Sequence, residues 1–362
     1  MEEKVTKYTI LRDLIQFNTA FDAQNKSIME YIDKLLTDKG FRTNYVIDDE
    51  THKVDLVAVA GQEYPLGFVC HTDTGVLGNN WADYDAMDLT IDGDKLVGLG
   101  ISDMKGGMAA VLSAVMNFDW RLPKKGLKLY FTFDEENNFT GIKTLIAKEK
   151  NLPQNIIIPT PTSLYPVIAT KGLLKIAVMI SGTAAHSSNP TKGVNAIEHA
   201  VSFLGEVYSF NNKLKMDKNN AFELPYTTFN LGKIQGGVAM NRVPSECTVY
   251  LEYRPIKIDH NRQIVEKIKE LAEKHNGYVT IIDDVAPMST FAENFISRLE
   301  DLTGNKRSSI AIVSDGNYLP EQSVVLLGPG PVTSGEKNEF ISKFQYEQLV
   351  DMYTKLLKET CF

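Results

Sequence analysis

Leu66-Gly67-Phe68-Val69-Cys70-His71-Thr72-Asp73 is an apolar run of strand length that ends in an imidazole and a carboxylate. Such a run reads as a buried strand, and open α/β sheets bind ligands at the carboxyl ends of their strands, where His71 would sit. Outward from it, strand-period and helix-period segments alternate. Residues 54–60, 127–133 and 156–158 read as further strands. Residues 5–17, 27–36 (closed by Gly40), 104–118 and 141–150 carry helical spacing. This order predicts an α/β fold with a mixed, mainly parallel sheet flanked by helices. From about residue 173 the pattern changes. Residues 175–180, 195–208, 226–231, 247–254, 261–274 and 278–282 follow the β-α-β-β-α-β order of a ferredoxin-like unit. After Pro287 the alternation of the first half resumes, with a helix near Phe295, strands at 310–313 and 323–327, and a final helix at 344–357. The expectation is one α/β domain, residues 1–172 and 285–362, interrupted by an inserted α+β domain, residues 173–284.

Composition narrows the class. Against 38 Lys and Arg stand 46 Asp and Glu, a net charge of −8 with no dense basic cluster, which disfavours nucleic acid as the main partner. No run of eighteen apolar residues occurs, so a membrane span is not expected. The opening MEEKVTKYTI lacks the basic start and apolar stretch of a signal peptide. The three cysteines, Cys70, Cys247 and Cys361, are scattered and show no CxxC spacing. The expectation is a cytoplasmic protein with reduced thiols and no thiolate zinc site.

Five segments could carry chemistry. In Cys70-His71-Thr72-Asp73 a carboxylate two residues past the histidine can accept the second ring N–H and hold the tautomer of a metal ligand. Gly98-Leu99-Gly100-Ile101-Ser102-Asp103-Met104-Lys105-Gly106-Gly107 sets one Asp between glycines at the start of an apolar helix. Asp134-Glu135-Glu136 places three acids at a strand's carboxyl end, where a cation or proton must relieve their repulsion. Ala185-His186-Ser187-Ser188 and Asn241-Arg242 lie on loops of the insert, and an Asn–Arg pair suits a substrate carboxylate. Taken alone, each has an ordinary reading too: a hydrogen-bonded loop histidine, an N-cap aspartate, a solvated acidic loop, two turns.

Together and in this order, the blocks HTD, GLGISDMKGG, DEE, TSLYPVIATKG, AHSSNPTKGVNAIE, LPYTTFNLGKIQGG, NRVP and YRP resemble the acetylornithine deacetylase, desuccinylase, aminoacylase and glutamate carboxypeptidase family of two-zinc metallohydrolases. The similarity runs nearly end to end. It implies an amidohydrolase acting on N-acyl amino acids, with zinc, cobalt or manganese as cofactor. His71 would bind one metal with Asp73 steering it. Asp103 would bridge two metals, and the peptide bond after it would be cis. Glu135 would be the general base and Glu136 a ligand of the other metal. His186 would reach across a homodimer interface to stabilise the oxyanion, and Asn241 and Arg242 would hold the substrate carboxylate.

The chain departs from that pattern at two places. The family's EPT or DPT carboxylate falls on Thr160, and no Asp or Glu occurs from residue 151 to 182. The histidine expected after the GPG turn falls on Gly335, and no histidine follows His275; Glu336 is the nearby candidate substitute. Catalytic zinc usually has three protein ligands and a water, so the expectation is one ion, or weakly bound ions. Three readings follow: an amidohydrolase on a reduced metal site, a binding pseudoenzyme for an amino-acid derivative, or altered chemistry on the same scaffold.

Overall fold

The computed structural model describes residues 8–20, 23–77, 81 and 83–362. These form two compact units. One is drawn from Met1–Ile168, Ser289–Ser308 and Ser314–Phe362, the other from Ala169–Met288 and Ser309–Val313. In chain order the elements are α1 (Thr9–Ile15), α2 (Lys26–Asp38), β1 (Arg42–Ile47), β2 (Val54–Ala60), β3 (Leu66–His71), β4 (Thr90–Asp92), β5 (Lys95–Val97), α3 (Gly106–Val115), β6 (Leu127–Thr132), α4 (Thr140–Lys148), β7 (Asn155–Ile158) and β8 (Val167–Thr170). Then come β9 (Leu173–Ser181), α5 (Ala196–Leu214), β10 (Thr228–Gly236), β11 (Glu246–Arg254), α6 (His260–Lys274) and β12 (Gly277–Val285). Last are β13 (Met288–Ser289), α7 (Glu293–Thr303), β14 (Ser308–Ile310), β15 (Ser323–Leu326), β16 (Phe340–Ser342) and α8 (Lys343–Cys361).

In the first unit the sheet runs β1-β2-β6-β3-β7-β15. Every residue of β3 and of β6 is buried, as central strands covered on both faces require. Strands β6, β3, β7 and β15 are mutually parallel, whereas β2 pairs antiparallel with β6 and β1 antiparallel with β2 at one edge. Helix α3, apolar nearly all round and buried, packs on α1 and α8. The result is a mixed sheet with a parallel core. It aims the carboxyl ends of four neighbouring strands at one edge, where the loops bearing His71, Glu135, Thr160 and Gly328 emerge.

The second unit is a four-stranded antiparallel sheet in the order β10-β11-β9-β12, with α5 and α6 packed on it. Along β9 buried and half-buried residues alternate, so Leu174, Ile176, Val178 and Ile180 enter a core with Phe203 and Ile268. Asn195 starts α5 by accepting the N–H groups of Ile197 and Glu198 on its side chain. The β-α-β-β-α-β order is that of a ferredoxin-like sandwich.

Two expectations need correction. The strand foreseen at 310–313 stops at Ile310, because Ser314 and Asn317 form a capping box on a short 3₁₀ turn, Asp315–Tyr318. The helix foreseen from Met104 begins at Gly106, since Asp103 and Met104 are in non-helical conformations. Part of the helix foreseen at 5–17 lies outside the described residues; the described helix there is α1.

Candidate active site

His71 ends β3, and its ring is 2% exposed. Its Nδ1 lies 3.0 Å from the backbone oxygen of Asp73 and 3.6 Å from Asp73 Oδ1. An Nδ1–H donated there turns Nε2 toward Asp103 Oδ1 at 3.2 Å and Glu135 Oε2 at 4.0 Å. Asp73 Oδ2 accepts the backbone N–H of Glu136 at 3.0 Å, which ties the loop after β3 to the loop after β6. The Thr72 N–H reinforces that tie through Thr132 O, 2.9 Å away. The Asp103–Met104 peptide is cis. Thr160, following β7, donates its hydroxyl to Asp103 Oδ1 at 2.8 Å. A cleft of about 470 Å³ opens beside these groups, lined in part by Trp81, Asp103, Glu136, Gly335 and Glu336, and every charged residue on its wall is acidic.

Two residues that sequence reasoning passed over belong to this region. Asp315 is buried and accepts the Thr132 hydroxyl at 2.8 Å, while its Oδ1 has no partner. Glu339, also buried, accepts the N–H groups of Gly100 at 2.9 Å and Ser102 at 2.7 Å, clamping the loop that presents Asp103. The only sequence signal was an acid beside a turn, Ser314-Asp315-Gly316 and Asn338-Glu339, which is ordinary loop chemistry without its distant partners.

Of the residues expected to hold substrate, His186, Asn241 and Arg242 are brought together in the second unit. His186 bridges Arg242 in antiparallel fashion, and the Ser187 N–H donates to Asn241 O at 3.0 Å. All three side chains are exposed, and His186 Nδ1 is 2.8 Å from Ser188 Oγ.

The electrostatics are those of buried carboxyls gathered around one imidazole. Burial raises the Glu135 carboxyl well above its usual range; His71 opposes this and Asp103 and Asp315 add to it. Burial likewise pushes Glu136, Asp315 and Glu339 up to about 7. For His71 burial works downward, but Glu135, Asp103 and Asp73 outweigh it and hold the ring well above its ordinary value. Burial lowers the Lys105 ammonium to about 7; its Nζ donates to Phe17 O at 2.8 Å.

These shifts set a pH dependence. Carboxyls raised in the folded protein bind more protons than in the unfolded chain, so their contribution is present at low pH and lost as pH rises from about 4.5 through 7. His71, raised as well, acts in the same direction. Lys105, lowered, acts only between about 7 and its unfolded value near 10.5. Chelated protein should therefore melt at a higher temperature at pH 5 than at pH 7, and a bound divalent cation should shrink the difference. A melting temperature that climbs over this window in chelator would contradict the assignment.

The metals that the sequence resemblance implies would need nitrogen and oxygen donors converging on one point. His71 Nε2 lies 3.2 Å from Asp103 Oδ1 and 4.0 Å from Glu135 Oε2. Among the described residues no group of three or more His, Cys, Asp or Glu side chains is arranged to hold a metal, so the donors as placed complete a site for neither one ion nor two. Thr160 offers only a neutral hydroxyl, and Gly335 has no side chain.

The relatives of this chain are hydrolases with the same two-unit fold. Residues 168–280 match the peptidase dimerisation domain. The chain is 31% identical over 354 residues to an acetylornithine deacetylase of Pasteurella multocida, covering 94% of this chain and 93% of that one. Its fold is similar to that of a tripeptidase from Staphylococcus aureus, with TM-score 0.77, 20% identity, and 98% and 97% of the two chains covered. An M20 family metallo-carboxypeptidase from Sulfolobus solfataricus is similar as well, with TM-score 0.72, 18% identity and 99% of both chains covered. The chain belongs to the M20 family, the metallohydrolases that include acetylornithine deacetylase. No helix among the described residues is long and apolar enough to cross a membrane.

Proposed function

We propose that this chain hydrolyses the amide of an N-acyl amino acid in the manner of an acetylornithine deacetylase, with Glu135 as the general base. The observation that carries the reading is the position of Glu135: 14% exposed, 4.0 Å from His71 and at the carboxyl edge of the parallel strands. Burial raises this carboxyl above the ordinary carboxylate range, which makes it a stronger base for a water's proton than an exposed glutamate. A divalent cation, zinc or else cobalt or manganese, would draw on His71 and Asp103 or on Asp103 and Glu136, neither of them a full set of ligands. Bound there, it would polarise the amide carbonyl and ease the ionisation of a water.

The chain's own residues do the rest. Glu135 takes the proton of the attacking water on its carboxylate and returns it to the leaving amine nitrogen. Asp73 fixes the His71 ring through Nδ1. Glu339 holds the Gly100–Ser102 backbone, and so Asp103, in place. His186 of the partner subunit would reach across the dimer interface to stabilise the developing oxyanion, and Asn241 and Arg242 would receive the substrate carboxylate, a bidentate partner for guanidinium.

A homodimer through the second unit is part of the proposal. It is supported by the dimerisation-domain match and by β10, an edge strand whose side chains are largely exposed, Ile234 to 49%. Light scattering at micromolar concentration should give twice the chain mass; a monomer would contradict it.

A second reading, binding without turnover, draws on the Thr160–Asp103 hydrogen bond, which engages the proposed ligand. The test is amine release from a panel of N-acetyl amino acids, with and without added zinc. Metal-dependent release from one or more of them supports hydrolysis, and Arg242→Ala should raise KM for that substrate. Calorimetric binding of the same compounds with no release under any metal condition favours the second reading.

A further inference from the structure

We propose that Asp315 is a positioning residue of the hydrolytic site: through the Thr132 hydroxyl it fixes the ends of β3 and β6, which present His71 and Glu135. This rests on the hydrolysis reading above and names a further residue that serves it.

Thr132 is the last residue of β6 and stands in parallel register beside His71, the last residue of β3. Its backbone oxygen accepts both the N–H and the hydroxyl of Thr72, each at 2.9 Å. Its own hydroxyl donates to Asp315 Oδ2 at 2.8 Å. His71 lies one residue before Thr72, and Glu135 three residues past Thr132. One threonine therefore governs where both side chains emerge from the sheet. Asp73 closes the ring by accepting the Glu136 N–H at 3.0 Å. Any shift of Thr132 is passed to the imidazole and to the base together.

Asp315 is the fixed end of this linkage. It comes from 183 positions away, on a short turn locked by the capping box of Ser314 and Asn317. From the same turn Tyr318 packs its ring on Phe139, with the ring centroids 5.2 Å apart. The Phe139 N–H donates to the Asp134 oxygen at 2.6 Å and so closes the loop that carries Glu135. The turn thus grips that loop at both ends, at Thr132 and at Phe139. Asp315 is 2% exposed, and its Oδ1 has no hydrogen-bond partner among the described residues. Burying a carboxyl with one oxygen unpartnered costs stability. A role in packing alone would be served better by an apolar side chain of the same size.

The experiment uses the full-length protein with added zinc and the N-acetyl amino acid that the parent cleaves fastest, each variant being checked as folded by its melting curve. Asp315→Ala and Thr132→Val, the second near-isosteric and the safer to fold, should each lose roughly 10- to 100-fold in kcat. That is the usual cost of misplacing a reacting group by about an ångström, and KM should change little. The double variant should lose no more than the worse single one, because both changes break the same bond. Asp315→Asn and Thr132→Ser keep the acceptor and the donor, and should restore most of the rate. Amide hydrogen exchange should quicken at residues 71–75 and 133–139 in Asp315→Ala and Thr132→Val, and stay unchanged at 173–284. A kcat at the parent's level in folded Thr132→Val, or equal losses in Asp315→Ala and Asp315→Asn, would overturn the inference. If the parent releases no amine under any metal condition, the hydrolysis reading falls and the exchange decides alone. Unchanged exchange at residues 71–75 and 133–139 would then overturn the positioning role as well, so the two claims fail separately.

Discussion

Glu135→Gln should lower the rate of amide hydrolysis by about 10²- to 10⁴-fold, the usual worth of a positioned proton carrier. Glutamine keeps the shape and hydrogen-bonding reach of the side chain but cannot take a proton. The loss should fall on kcat with KM little changed, since Glu135 is assigned no part in holding the substrate. Zinc binding should persist, because His71, Asp103 and Glu136 are untouched. Thermal stability should hold or increase. In the parent, burial and the neighbouring carboxylates Asp103 and Asp315 disfavour the ionised form of Glu135, and a neutral amide relieves that repulsion. Activity within threefold of the parent would remove Glu135 from the role.

Gly107→Ala should be the most damaging single methyl in the first unit, costing about 3 kcal/mol, the upper end for overpacking. Its Cβ would lie 1.8 Å from the backbone oxygen of Pro159, and backbone cannot step aside as a flexible side chain can. The displacement would reach the site, because Pro159 precedes Thr160, whose hydroxyl holds Asp103. Gly205→Ala is the control. It sits in α5 with nothing within 4 Å of the new carbon, and alanine should stabilise that helix by about 0.8–1 kcal/mol. Denaturant unfolding of both variants checks the pair; equal stabilities would contradict the close approach of α3 to the loop after β7.

How much of this was legible in the sequence varies with burial. Residues 54–60 coincide with β2, and the runs at 66–70 and 127–133 match β3 and β6 within one residue, because strands buried on both faces are apolar at nearly every position. β1 went unforeseen: Arg42-Thr43-Asn44-Tyr45-Val46-Ile47 lies at the sheet edge with only Val46 buried, so it carries little hydrophobic contrast. The three-residue strands β4, β5 and β16 are too short for any period to register. Local motifs such as His71-Thr72-Asp73 and Asp134-Glu135-Glu136 were readable because a strand end supplies their context. The partnerships that define the site were not. Thr160 reaches Asp103 across 57 positions, Thr132 reaches Asp315 across 183, and Glu339 reaches Ser102 across 237. Such pairings follow from sheet order, which no local pattern encodes.

The central claim is metal-dependent hydrolysis served by Glu135. Its most direct measurement is the initial rate of N-acyl amino acid hydrolysis as zinc is returned stepwise to chelated protein. The rate should rise from the baseline as the metal returns. A rate that stays at baseline throughout would contradict the account.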